Sequence, residues 1–319
     1  MKPDVLITSR YPADLVHELE PHANVIQGDD PAKGMPRERV LTSLADVVAI
    51  INNNELKIDA DLLQHAPHLK IVANSTAGFD NMDIAAMRNR KVYGTNSPES
   101  YAADTATHTI ALLLALTRRV VETDRYVRSG QWSRDGWMPG GRWDGVSLVN
   151  RVMGIVGLGH IGQQVATRAA AFGMVVHHHD PRWGKEVSGW LPLDELLATS
   201  DVISLHCPLI ESTRHLINAE AFKRMKKDAI LLNVSRGPVV KIDDLVTALR
   251  EKRIFGAGLD VFEFEPEVPD ELFSMSNVVL SPHMGGCTAE ARQSARRVCV
   301  ENVIAVLTGQ LPRSLAFEF

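Results

Sequence analysis

The segment Val152 to Gly162, V-M-G-I-V-G-L-G-H-I-G, constrains this chain more than any other. An apolar strand runs into G-x-G-x-x-G and then into helix-compatible residues. A second strand through Val175 and Val176 leads to Asp180, eighteen residues beyond the last glycine. Gly157 permits a tight turn, Gly159 lets a backbone approach a pyrophosphate, and Gly162 lets the helix pack closely on the strand. The helix that begins near His160 and Ile161 turns its free N–H groups and positive dipole end toward the phosphates. Asp180 is placed to accept hydrogen bonds from an adenosine ribose. Glycines alone are common in ordinary turns. Strand, glycines, helix, strand and acid in this order indicate a bound dinucleotide.

A chain of 319 residues reads as two domains of ordinary size, each able to bury a core. A net charge of −5 leaves no electrostatic footprint for nucleic acid or an anionic membrane. The longest apolar run, Ile110 to Leu116, is far too short to span a bilayer. The N-terminal M-K-P-D-V-L-I-T-S-R resembles a first strand more than a signal peptide. Cys207, Cys287 and Cys299 show no C-x-x-C pairing and imply no disulfide framework. A cytoplasmic protein is expected.

Strand-like and helical segments alternate through the first hundred residues, the rhythm of a parallel sheet with helices on both faces. Ala102 to Arg119 reads as one long apolar helix, buried between domains or subunits. Arg125 to Val149 carries Trp132, Trp137 and Trp143 among glycines, an arm expected to pack on a partner subunit. After the glycine motif the strands recur, and Val152–Val156 brings their number to six. The tail, Ala289 to Gly309, is a helix able to return to the first domain. The expected architecture is two doubly wound α/β domains. Residues 1–100 and 288–319 form one, and residues 101–287 form a dinucleotide-binding domain with its arm.

In open α/β sheets ligands bind beyond the carboxyl ends of the strands. There lie Cys207 and Pro208, then Val234 and Arg236, then Asp260 and Glu265, and finally His283 and Gly285. Arg236 taken singly reads as a surface arginine, Glu265 as one acid in a solvated loop, His283 as a structural histidine. At the ends of three successive strands beside a dinucleotide fold they form a usable set: a cation, a carboxylate and a proton donor. The run His177-His178-His179 is structural, because alternate residues of a strand face opposite ways and cannot share one metal ion.

The segments G-L-G-H-I-G, N-V-S-R-G-P-V-V, L-D-V-F-E-F-E-P and S-P-H-M-G-G, with S-T-A-G-F-D-N-M-D at Ser75 to Asp83, resemble the D-2-hydroxyacid dehydrogenase family. Through G-Q-W-S-R-D-G-W-M-P, Gly130 to Pro139, the chain looks most like the glyoxylate/hydroxypyruvate reductase and 2-ketogluconate reductase branch. The resemblance implies a Rossmann cofactor domain, a flavodoxin-like substrate domain and a homodimer. It implies Arg236, Glu265 and His283 as the catalytic set, and a Trp137 that reaches the neighbouring subunit's substrate site. By the same resemblance Thr105, Pro208, Asp260, Val234 and Gly285 touch the cofactor, as does Cys207.

The residue types then suggest a mechanism for reducing a small 2-oxo acid to its D-2-hydroxy acid, and the reverse. His283 is the acid in reduction and the base in oxidation. Glu265 stabilises the imidazolium and fixes its orientation. Arg236 binds the substrate carboxylate with its fixed, charged fork. Backbone N–H groups of Ser75, Thr76, Ala77 and Gly78 hold the carboxylate's other side. Asp180 repels a 2′-phosphate and selects NADH, with NADPH as the alternative through Arg182 and Lys185. No metal is called for. A second reading keeps the fold and loses the turnover: an NAD(H)-sensing corepressor-like binding protein.

Overall fold

The computed structural model describes residues 2–137 and 141–318. It divides into two compact units, Met1–Tyr101 with Cys287–Phe319, and Ala102–Gly286.

Five strands build the first unit: β1 (Asp4–Ile7), β2 (Asn24–Gln27), β3 (Val47–Asn52), β4 (Ile71–Asn74) and β5 (Tyr93–Thr95). All pair in parallel in the order β2-β1-β3-β4-β5, that of a flavodoxin-like sheet. A parallel sheet must be covered on both faces, and side chains of period two supply two cores. Thus Val5 and Ile7 enter one core and Leu6 the other. The helix Ala289–Leu307, started by the Thr288 side chain on the Ala291 N–H, gives Cys299, Val300 and Val303 to the Val5 and Ile7 side. The edge strand β2 and the helix Arg37–Thr42 are additions to the sequence-based outline.

Six parallel strands build the second unit: β6 (Val152–Val156), β7 (Val175–His179), β8 (Val202–Leu205), β9 (Ile230–Asn233), β10 (Gly256–Leu259) and β11 (Val278–Leu280). Their order is β11-β10-β9-β8-β6-β7. A dinucleotide fold has the order 3-2-1-4-5-6. Here the third position is reduced to a single bridge, His178 to Trp190, outside β7. The six expected strands are present, but β11 is an added seventh position and not the sixth. The strand order still reverses at β6, which has β7 on one side and β8 on the other.

The helix Pro98–Thr117 starts four residues earlier than the sequence outline had it, with proline in its first turn. Its buried stripe includes Thr105, Thr109, Leu113 and Leu116, while Ala103, Thr107 and Ala111 are exposed. Beyond it lie the helices Val120–Arg128 and Gln131–Asp135 of the tryptophan arm. Trp143 packs locally, with the Arg119 and Arg142 guanidinium groups 5.0 and 5.3 Å from its ring centre. Trp132 and Trp137 are 46% and 81% exposed. Met138, Pro139 and Gly140 of the same motif lie outside the described residues. Among the described residues no helix is long and apolar enough to cross a membrane.

Candidate active site

The glycine turn after β6 has the shape its sequence demands. Gly157 sits at φ +94°, and a Cβ there would lie 2.7 Å from the Cys207 backbone nitrogen. That close approach joins the turns after β6 and β8, where the strand order reverses. A Cβ on Gly162 would lie 2.2 Å from the Gly157 carbonyl oxygen, so only glycine lets the helix His160–Ala171 seat there. Gly159 caps that helix without a side-chain bond, and the nearest atom to a Cβ on it is Arg182 Nη2 at 3.7 Å. An open glycine cradle at an uncapped helix N-terminus fits a pyrophosphate. His160 is exposed there and Ile161 half-buried.

Asp180 follows β7 and is almost wholly buried. Its Oδ2 accepts from the Leu158 N–H at 2.8 Å and from Arg182 Nη2 at 2.7 Å. Its Oδ1 accepts from the Arg182 N–H and from Arg182 Nε, both at 3.0 Å. Burial would push this carboxyl up, but the Arg182 and Leu158 donors outweigh it and hold the pKa at about 2. A carboxylate has about four acceptor sites, so the pair with Arg182 amends the picture of an open ribose acceptor. A ribose bound there would have to displace the guanidinium, whose side chain is 66% exposed. The triple histidine does not gather: His178 Nε2 and His179 Nδ1 meet the Ser188 and Leu191 carbonyls.

Arg236, Glu265 and His283 come together in the second unit. Asn233, ending β9, accepts from the Ser235 N–H and hydroxyl and donates Nδ2 to the Arg236 carbonyl. That folded turn presents a half-buried Arg236, whose Nη1 donates to the Ser235 carbonyl at 2.8 Å. The next residue, Gly237, packs so tightly that a Cβ would lie 1.8 Å from the Phe262 carbonyl oxygen, locking this turn to the one after β10. Glu265 Oε1 accepts from the Phe262 N–H at 2.9 Å and its Oε2 meets His283 Nδ1 at 2.8 Å. Burial raises the Glu265 carboxyl, yet the bonds from His283 and Phe262 and the Arg236 charge leave it below the usual range. It is ionised at neutral pH, so Nδ1 of His283 is the donor in their bond.

His283 lies at φ +54°, a left-handed conformation that a non-glycine residue holds only when its surroundings impose it. Asp260 imposes it. Its carbonyl accepts from the His283 N–H at 2.8 Å, and its carboxylate accepts from the Met284 and Gly285 N–H groups, both at 2.7 Å. A Cβ on Gly285 would lie 3.1 Å from Asp260 Oδ2 and 3.2 Å from Thr105 Cγ2, so Thr105, Asp260 and Gly285 adjoin. Val234 and Cys207 are buried beside these turns and Pro208 is exposed. Two further side chains on Asp260, His108 and Ser281, carried no sequence signal beyond a histidine inside an apolar helix.

In the first unit, β4 ends in the loop Ser75 to Gly78. Ser75 is fixed by its N–H on the Asn52 carbonyl, by Tyr101 Oη on its own carbonyl and by its hydroxyl on Asn53. The carbonyls of Thr76, Ala77 and Gly78 all accept bonds, from Ser97, Asn96 and Asn74. Their N–H groups meet no acceptor among the described residues. Successive unspent N–H groups of this kind make an anion-binding concavity.

A dinucleotide fold whose last three strands end in an arginine, a carboxylate and a paired histidine defines a nicotinamide-dependent dehydrogenase. The family profile of the D-isomer specific 2-hydroxyacid dehydrogenase, NAD binding domain, matches residues 110–285. Over 322 residues the chain is 44% identical to the glyoxylate reductase of Thermococcus onnurineus, covering 99% of this chain and 96% of that one. A solved protein from Thermus thermophilus matches 98% of the chain, and all of its own, with a TM-score of 0.87 at 39% identity. The NADPH-dependent glyoxylate/hydroxypyruvate reductase of Sinorhizobium meliloti, solved with NADP and malonate, gives a TM-score of 0.85 at 29% identity. It covers 99% of this chain and 97% of that one. The chain belongs to the D-isomer specific 2-hydroxyacid dehydrogenase family. It is an oxidoreductase that reduces a small 2-oxo acid with a nicotinamide dinucleotide, and the sensor reading of the same fold is not favoured.

Proposed function

We propose that the chain is an NADH-preferring reductase of glyoxylate or a close 2-oxo acid, acting as a homodimer in the cytoplasm. The observation that carries this reading is the His283–Glu265 bond at 2.8 Å, next to Arg236. The names of the similar curated proteins support glyoxylate. Bound nicotinamide supplies a hydride to the keto carbon. His283 gives a proton from Nε2 to the carbonyl oxygen, and Glu265 steadies the imidazolium before that transfer. Arg236 binds the substrate carboxylate and polarises the carbonyl. The N–H groups of Thr76, Ala77 and Gly78 suit an anion such as a carboxylate, with Ser75 as the fixed start of their loop. Gly157, Gly159 and Gly162 hold the pyrophosphate, and Thr105, Asp260 and Gly285 line the nicotinamide side. Exposed Trp132 and Trp137 suit a second copy of the chain, in which Trp137 serves the neighbouring substrate site.

The test is NADH and NADPH oxidation with glyoxylate, hydroxypyruvate, pyruvate and 2-ketogluconate. Rapid NADH-linked turnover of glyoxylate is expected. No turnover on any of the four would overturn the substrate assignment. A second expectation concerns Asp180. Replacing it by alanine removes the ribose acceptor and frees Arg182 for a 2′-phosphate. Charge-assisted bonds are worth about 1.5–3 kcal/mol each, so kcat/KM for NADH should fall about 10- to 100-fold while that for NADPH rises. An unchanged ratio of the two would remove Asp180 and Arg182 from cofactor choice.

A further inference from the structure

Within the second unit a chain of polar groups runs from the long helix to the turn that carries His283. His108, in the helix Pro98–Thr117, places Nε2 2.9 Å from Ser281 Oγ and 3.3 Å from Asp260 Oδ1. Ser281 Oγ in turn lies 2.6 Å from the same Asp260 oxygen. Proton bookkeeping fixes the direction of these bonds. Asp260, 1% exposed, is held below the usual carboxylate range: burial raises it, and His108, Ser281, Met284 and Gly285 outweigh that. Ionised, it only accepts. The single hydroxyl proton of Ser281 is therefore spent on Asp260, and the Ser281 oxygen is left to accept. His108 Nε2 must then carry a hydrogen and donate it to Ser281 and Asp260 together. The donation is directed, from helix to serine to carboxylate.

Asp260 is also the group that holds the 283–285 turn, through three backbone bonds. We propose that His108, linked through Ser281, is a positioning residue: it anchors the Asp260 carboxylate and thereby sets the left-handed turn that aims His283. The inference rests on the reading of His283 as the acid–base group. Removing the donor loosens the turn without touching the Arg236 loop, so turnover suffers and substrate binding does not.

His108→Leu is expected to lower kcat for NADH-linked glyoxylate reduction about tenfold, the size of one charge-assisted bond, with KM for glyoxylate within about twofold of the parent. His108→Gln places an N–H donor where Nε2 stood and should return kcat to within about threefold. Ser281→Ala interrupts the same chain. The combined loss in the double variant His108→Leu with Ser281→Ala should depart from the product of the two single losses, because both act through Asp260. Thermal midpoints separate misfolding from mispositioning, and His108→Gln keeps the question open to test if leucine destabilises the fold. Parental kcat in His108→Leu, or a glutamine variant no faster than the leucine one, overturns the proposal. Fully multiplicative losses in the double variant do the same. His283→Ala run in the same assay separates the two readings. If it keeps near-parental turnover, the acid–base assignment falls. If it is inactive while His108→Leu is unchanged, only the positioning role falls.

Discussion

His283→Ala is expected to lower kcat about 100- to 10,000-fold while NADH binding stays near the parent value. The magnitude follows from what is lost. Without the imidazole, the alkoxide that forms as hydride arrives must take its proton from water. The fold should tolerate the change, because the His283 side chain is half exposed and its main-chain bonds to Asp260 do not involve the ring. Glu265→Gln should cost less, since a neutral amide still occupies the 2.8 Å contact but no longer offsets the imidazolium charge. Stopped-flow fluorescence of bound NADH beside steady-state reduction of glyoxylate separates binding from chemistry. A His283→Ala enzyme within about threefold of the parent in kcat would return the residue to a structural role.

Arg236→Ala is the second large effect. Two charge-assisted bonds to a carboxylate, at about 1.5–3 kcal/mol each, place the loss in kcat/KM at about 100- to 10,000-fold. Both parameters should move: KM rises because the carboxylate loses its partner, and kcat falls because the carbonyl is no longer polarised. Arg236→Lys should recover little of either, since an ammonium lacks the planar fork. The arginine itself is aimed by its own backbone, with Nη1 on the Ser235 carbonyl and Asn233 gripping the turn. A lysine keeps the backbone turn but loses the Nη1 bond and the planar fork. Steady-state kinetics of both variants over a wide glyoxylate range test this, and unchanged constants in Arg236→Ala would end its assignment.

How legible the fold was depended on how much each element is dictated locally. The glycine turn could be read because Gly157 and Gly162 are each imposed by a backbone atom too close for any side chain. Strand β2 could not, since Asn-Val-Ile-Gln at a sheet edge buries too little to leave a pattern. The helix Arg37–Thr42 buries only Val40, so it too lacks an apolar periodicity. Trp190 joins the second sheet by one bridge, and a one-residue strand has no signature. At the site, the order of residues along the chain foretold which groups follow which strand. It did not foretell who occupies their lone pairs. Arg182 on Asp180, and His108 with Ser281 on Asp260, are pairings made in three dimensions. Spacing alone cannot distinguish a carboxylate awaiting a ligand from one already engaged.

The split course of the chain bears on its birth. The sheet of the first unit has one face covered by side chains made early, such as Leu44, Leu62 and Met87. Its other face takes Cys299, Val300 and Val303 from a helix synthesised only after the second unit. While a ribosome works through the nearly two hundred intervening residues, Val5, Ile7, Ala49, Ile51 and Ile71 lack that cover. The second unit, continuous in sequence, can close its cores meanwhile. Until then that face of the first sheet has only the Leu15 and Leu19 side chains of the early helix Ala13–Leu19 to cover it, and the later helix completes the core.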